Sequence, residues 1–226
     1  TYTVRADTTG VDPEAFNDEL GRWWAPTGAL ERTVTVPPDA EAVDFGFRLL
    51  TQDVVDDVLE GEIESLGVPV KFWIDEFTSA ISMVPPPEGI DRDVLPFLAP
   101  VYSPEELVAF LLEVEALALP EPYQFTDGEE IVEALALLSV AAGEPVDLLT
   151  RELLATELNV VSGRGLVDDE ELLAALIVWG ESLVVQARDA VAAGGGLATA
   201  RLEDLRIAIG VFQTINVGGG GGFDEK

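Results

Sequence analysis

The sequence predicts an α+β protein. A small β-rich part over about residues 1–100 precedes a helical bundle of about five helices over 101–217, and a flexible Gly-rich tail closes the chain at 218–226. Three observations carry this prediction. The first residues alternate with period two, as a half-buried strand does. After residue 101, helix caps and glycine stops recur, and apolar residues return every three or four positions with acids opposite. Apolar residues make up 48% of the 226 residues, enough for a sizeable core.

The elements follow in order. TYTVRAD places Tyr2, Val4 and Ala6 on one side and Thr1, Thr3, Arg5 and Asp7 on the other, which predicts a strand. Asp12-Pro13 reads as an N-cap with proline at the first helical position, so a short helix is expected over 14–24. ERTVTVPP at 31–38 is a second strand, closed by Pro37 and Pro38, and VDFGFRLL at 43–50 is a third candidate. Residues 52–66 are acidic and helix-like, ending at Gly67. VPVKFWIDEFTSAISMV at 68–84 is rich in β-branched and aromatic residues and suggests a further strand or hairpin. Prolines at 85–87 and at 96 and 100 then mark an irregular connection.

In the second half, Ser103-Pro104-Glu105-Glu106 is a capping box that opens a helix to about Leu117. Thr126 and Glu129 repeat the device for a helix to Gly143. Pro145 opens a third helix, ending at Gly163. Asp168 caps a long helix through Leu172, Leu176, Trp179, Leu183 and Ala187, which stops before the glycines at 194–196. Thr199 caps the last, through Leu202, Leu205, Ile209 and Phe212. No repeat of solenoid spacing is present.

Charge bounds the setting. Forty-three acids against 12 bases give a net charge of −31, and only Lys71 and Lys226 are lysines. Such a charge strains the compact state in ordinary salt. In molar salt the screening length falls to about 3 Å and the strain is relieved. High acidity, scarce lysine and an apolar core together read as a halophile, specifically a haloarchaeon. The chain opens at Thr1 without methionine, and we read it as secreted, with its signal removed. The charge argues against nucleic acid and anionic membrane as partners. No stretch of about 20 apolar residues is present, so no membrane insertion is expected.

Chemistry is thinly represented. The chain has no Cys and no His, which removes disulfides, thiolate metal sites, Cys nucleophiles, the commonest general base and any Ser-His-Asp triad. A hydrolase built on two carboxylates stays open, although many acids offer no way to choose a pair. Asp168, Asp169, Glu170 and Glu171 form the densest acid run. It lacks a calcium-loop pattern and suits a first helical turn facing the macrodipole, as do Asp53, Asp56 and Asp57 less clearly. We therefore assign no catalytic, cofactor or metal residues and expect cations to be held only loosely, if at all. The glycine runs at 194–196 and 218–222 have no phosphate-binding strand and lysine around them. Trp23-Trp24 and Phe72-Trp73 read as core, and the acid runs as a solvated face.

RELLATELNVVSG at 151–163 is the most specific stretch. Leu153, Leu154, Leu158 and Val161 fall at core-facing spacing. Asn159 near the helix end can pin a loop through backbone groups, and Gly163 supplies a left-handed stop. Three segments together resemble a family of secreted bacterial and archaeal proteins of unassigned activity. Its members begin with a TPGFWKNHP-like segment, carry a helix reading roughly LLAxxLN(I/V)AxG and close a later helix in AFNNG. The corresponding segments here are GRWWAPTG, ELLATELNVVSG and GVFQTINVG, with YSPEELVAFLL between the first two. GRWWAPTG lacks the Lys, Asn and His of the family's opening segment, so nothing those residues do carries over. The resemblance covers about half the chain and implies an extracellular helical module without catalysis.

The expected role is a structural subunit of an extracellular filament or surface assembly. Thr1, Tyr2, Thr3, Val4, Arg5 and Ala6 would act as a donor strand that completes a sheet edge in the next copy, joining copies head to tail into a homopolymer. The alternatives are that this strand pairs within its own chain, and that the protein is a monomeric secreted binding or adhesion module.

Overall fold

The computed structural model describes residues 2–5, 22–26, 31–34, 47–82, 101–117, 122–164 and 169–217. The described part is mostly helical, with seven helices, five of them after residue 101 where about five were expected. Four short strands, β1 (Tyr2–Arg5), β2 (Arg22–Pro26), β3 (Glu31–Val34) and β4 (Phe47–Thr51), precede or lead into them. β1 pairs antiparallel with β3, Tyr2 opposite Val34 and Arg5 opposite Glu31. β2 pairs antiparallel with β4, Arg22 opposite Thr51 and Pro26 opposite Phe47. Arg22 to Trp24, expected at the end of a helix, thus lie in a strand. Most of that expected helix falls outside the described residues.

β4 turns directly into α1 (Gln52–Leu59), because Thr51 ends the strand in extended geometry and its Oγ1 accepts the Val54 N–H at 3.4 Å. α1 ends seven residues earlier than expected. Gly61 at φ 74° lets the Glu62 N–H reach the Asp57 carbonyl at 3.0 Å, a left-handed stop before Gly67 is reached.

The second correction concerns 68–84. Its residues make helix α2 (Val70–Ile81) instead of a strand or hairpin. Phe72, Trp73, Glu76, Phe77 and Ala80 are its buried positions, a spacing of one, three and four that matches a helical face. Burial on that face outweighs the β preference of Val, Phe, Trp and Ile, which is a weak term of order 1 kcal/mol.

α3 (Pro104–Leu117) opens on the expected box. Ser103 Oγ accepts the Glu106 N–H at 3.2 Å, and Glu106 Oε2 accepts the Ser103 N–H at 2.8 Å. α4 (Glu130–Leu138) starts later than its box predicts, and the returning acid is Glu133, which accepts from the N–H and hydroxyl of Thr126 at 2.8 and 2.9 Å. It also ends before Gly143, where the Arg151 guanidinium draws the Val140 carbonyl onto the next helix at 2.6 Å. α5 (Pro145–Val161) has proline in its first turn as expected. It closes at Gly163, φ 80°, with the Arg164 N–H on the Asn159 carbonyl at 2.6 Å. α6 (Glu170–Ala192) is capped by Asp169, whose carboxylate accepts the Leu172 N–H at 2.8 Å. The expected cap, Asp168, lies outside the described residues. α7 (Thr199–Val217) is the last element described, so the expected tail at 218–226 is outside them as well.

Two apolar cores flank α5. One joins Leu50, Val55 and Val58 to Leu149 and Leu153 of α5 and to the inner faces of α6 and α7. The other joins Phe72, Trp73 and Phe77 to Tyr102, Leu107, Leu111 and Leu138, with Leu154, Ala155 and Leu158 of α5. Both cores draw residues from either side of residue 100. The three long helices approach closely at Gly180, where an added Cβ would lie 2.6 Å from Phe212 of α7 and 3.2 Å from Leu153 of α5.

Candidate functional site

The residues of ELLATELNVVSG converge on a buried polar seam along α5. Leu153, Leu154 and Leu158 are fully buried in the flanking cores. Asn159 is 1% exposed and makes four hydrogen bonds through one amide. Its Oδ1 accepts the Val68 N–H at 3.2 Å and the Trp73 indole N–H at 3.0 Å. Its Nδ2 donates to the Val68 carbonyl at 3.0 Å and to Asn216 Oδ1 at 3.0 Å. One side chain therefore pins the segment before α2, the α2 tryptophan and the end of α7 to α5. Its full complement of donors and acceptors is used, which removes the cost of burying them.

Asn216 extends the seam. Its Nδ2 donates to the Glu152 carbonyl and carboxylate at 3.0 and 3.1 Å, and its Oδ1 also accepts from the Thr156 hydroxyl at 2.9 Å. Arg151 lies beside the Glu152 carboxylate as an ion pair. Ser65 donates to the Ile215 carbonyl at 2.6 Å and accepts the Gly67 N–H at 3.0 Å. The backbone passes so near here that a Cβ on Gly67 would sit 2.3 Å from the Ile215 carbonyl oxygen.

Besides Glu152, sequence reading misses three more buried acids, because it takes the acids as a solvated face. Glu76, 0% exposed, accepts the Val101 N–H on both oxygens at 2.8 and 2.9 Å and the Tyr102 N–H at 3.0 Å. It ties α2 to the chain that enters α3. Glu157, also fully buried, accepts the Tyr123 hydroxyl. Glu181 is buried near the same phenol. Burial first, then the charge and hydrogen bond of Glu157 and the charge of Glu181, push the Tyr123 hydroxyl well above its ordinary range, with Arg188 opposing. Tyr123 is thus held as a proton donor. Arg188 donates to the Pro122 carbonyl and to Thr150 Oγ1, which ties the 122–125 segment to α5 through α6. The available signal was position: these acids fall among apolar neighbours, in FWIDEF, LLATEL and VWGESL.

Aromatic packing completes the second core. Trp73 and Tyr102 stack at 5.8 Å with 8° between planes, and the Arg164 guanidinium lies 5.7 and 5.6 Å from the Phe72 and Tyr102 ring centres. Phe72 and Trp73 are core residues, whereas for Trp23 and Trp24 only the β2 backbone is described.

Of the expected donor-strand residues, Tyr2, Thr3, Val4 and Arg5 form β1, paired with β3 of the same chain, while Thr1 and Ala6 lie outside the described residues. The described element contacts bring β2 and β4 onto α6, and β4 onto α1, while β1 and β3 meet chiefly one another. Glu170 and Glu171 are exposed in the first turn of α6, and Asp53, Asp56 and Asp57 are exposed on α1. Among the described residues no group of three or more acids converges as a metal would require. No described helix is long and apolar enough to cross a membrane. A cleft of about 400 Å³ opens at the end of α6, lined by residues of α6, α7 and their connection and by none of the buried glutamates. Searches for relatives of the chain match no protein-family model, no curated protein and no solved structure.

Proposed function

We propose that the protein is a non-catalytic structural subunit of an extracellular filament or surface assembly in a high-salt setting, joined copy to copy through β1. The observation that carries this reading is the placement of β1. It belongs to a two-stranded ribbon of four-residue strands that has little contact with the helical body among the described elements. A ribbon of that size is marginal alone. The same ladder, Tyr2 opposite Val34 through Arg5 opposite Glu31, forms equally well with β3 of a neighbouring copy. Pairing within the chain is then the closed form of a swapped contact, and the open form propagates head to tail.

Two further features support the reading. The polar seam spends its donors and acceptors on joining helices, as a load-carrying scaffold requires. A net charge of −31 with ten arginines and two lysines suits molar salt, and the ELLATELNVVSG helix adds the likeness to secreted proteins. The test is negative-stain microscopy of the protein in molar salt, with and without residues 1–8. Filaments from the full chain that vanish on truncation are expected. Filaments that survive truncation remove the donor strand. Dispersed particles from the full chain remove the filament and leave a monomeric surface-binding module.

A further inference from the structure

The cleft between the last turns of α6 and the start of α7 is lined by two opposite charges that no ion pair joins. Asp189 and Arg201 both line it, yet no ion pair joins them and neither side chain bonds another described residue. In a chain with 43 acids and 12 bases, an unclaimed guanidinium is unexpected. Every other cation with a described side chain is engaged. Lys71 pairs with Asp75, Arg151 with Glu152 and Arg206 with Glu203, while Arg164 and Arg188 donate to Tyr102 and to Pro122 and Thr150. Arg201 acts on Asp204 only through space, opposing the burial that raises that carboxyl.

We propose that this cleft is a binding site for a small zwitterion of the α-amino-acid class. Arg201 takes the carboxylate, Asp189 takes the ammonium group, and Ala190, Leu197 and Ala198 supply a small apolar wall for a short side chain. The volume of about 400 Å³ lies within the range of small-molecule sites. The two poles select the class. A free anion gains Arg201 but meets Asp189, and a free cation gains Asp189 but meets Arg201. A zwitterion satisfies both poles at once.

The test titrates L-alanine into the full chain in molar salt, followed by the backbone amide resonances of Ala190, Leu197 and Ala198. Saturable one-to-one binding is expected, with a dissociation constant of about 1 mM. Arg201→Gln and Asp189→Asn should each weaken it about tenfold or more, and both should keep the wild-type circular dichroism, since neither side chain hydrogen-bonds another described residue. Propionate and ethylamine, each carrying one pole of alanine, should bind about tenfold more weakly than alanine. No saturation up to about 100 mM would overturn the proposal. Wild-type affinity in Arg201→Gln, or propionate binding as well as alanine, would do the same.

Discussion

Replacing Asn159 by alanine should be among the most damaging single changes on α5. The substitution deletes four hydrogen bonds but does not orphan four groups. Asn216 Oδ1 keeps the Thr156 hydroxyl at 2.9 Å. The Val68 N–H, the Val68 carbonyl and the Trp73 indole N–H lose the partner that Asn159 supplied. Leaving a buried polar group unpaired costs about 1–3 kcal/mol, so three of them set a floor of about 3 kcal/mol. Water entering the vacated space returns part of the larger sum, which caps the loss near about 5 kcal/mol. Urea unfolding in molar salt, followed by far-ultraviolet circular dichroism, measures the loss. With a slope of about 2 kcal/mol per molar urea, the midpoint should fall by about 1.5–2.5 M with the slope unchanged. Leu112→Ala, at a largely exposed position of α3, is the control and should stay within about 0.5 kcal/mol of wild type. A fall for Asn159→Ala below about 0.5 M would show that the amide does not hold the three segments together.

Gly67→Ala should destabilise by about 1–3 kcal/mol or more in the same titration, because the new Cβ meets a backbone oxygen at 2.3 Å that has no rotamer to yield. Glu76→Gln keeps the volume but halves the acceptor strength facing the Val101 and Tyr102 amides. A loss of about 1.5–3 kcal/mol is expected, with faster hydrogen exchange at those two amides as the local readout. Tyr123 predicts an alkaline slope. Its folded-state pKa lies above its ordinary value of 10.0, so above pH 10 the unfolded chain sheds a proton that the folded chain retains. Its stabilisation is complete below pH 10 and should be lost by up to about 1.4 kcal/mol per pH unit above it. Tyr123→Phe should flatten that part of the curve, and an unchanged slope would refute the assignment.

Helix ends were largely legible because their signals are local. Ser103 with Glu106, Pro145 and Gly163 act where the sequence places them. Asn159 was legible as a pin, but not the segments it pins, since Val68 and Trp73 lie 91 and 86 residues away. The error over 68–84 came from weighing residue type above period. Phe72, Trp73, Phe77 and Ala80 already trace a helical face in the sequence. Glu76, Glu152, Glu157 and Glu181 were hidden by abundance: among 43 acids, the buried ones look like the rest. The pair Asp189 and Arg201 was not legible at all, because the turn between α6 and α7 creates their shared cleft.

α5 belongs to both cores at once, giving Leu149 and Leu153 to one and Leu154, Ala155 and Leu158 to the other. Unfolding cannot then proceed half by half. Any opening that detaches α5 strips a wall from each core and breaks the Asn159 bridge in the same event. The helical body should therefore melt as one cooperative unit, and amides on α2 and α7 should share the same high opening free energy although few residues of those helices touch.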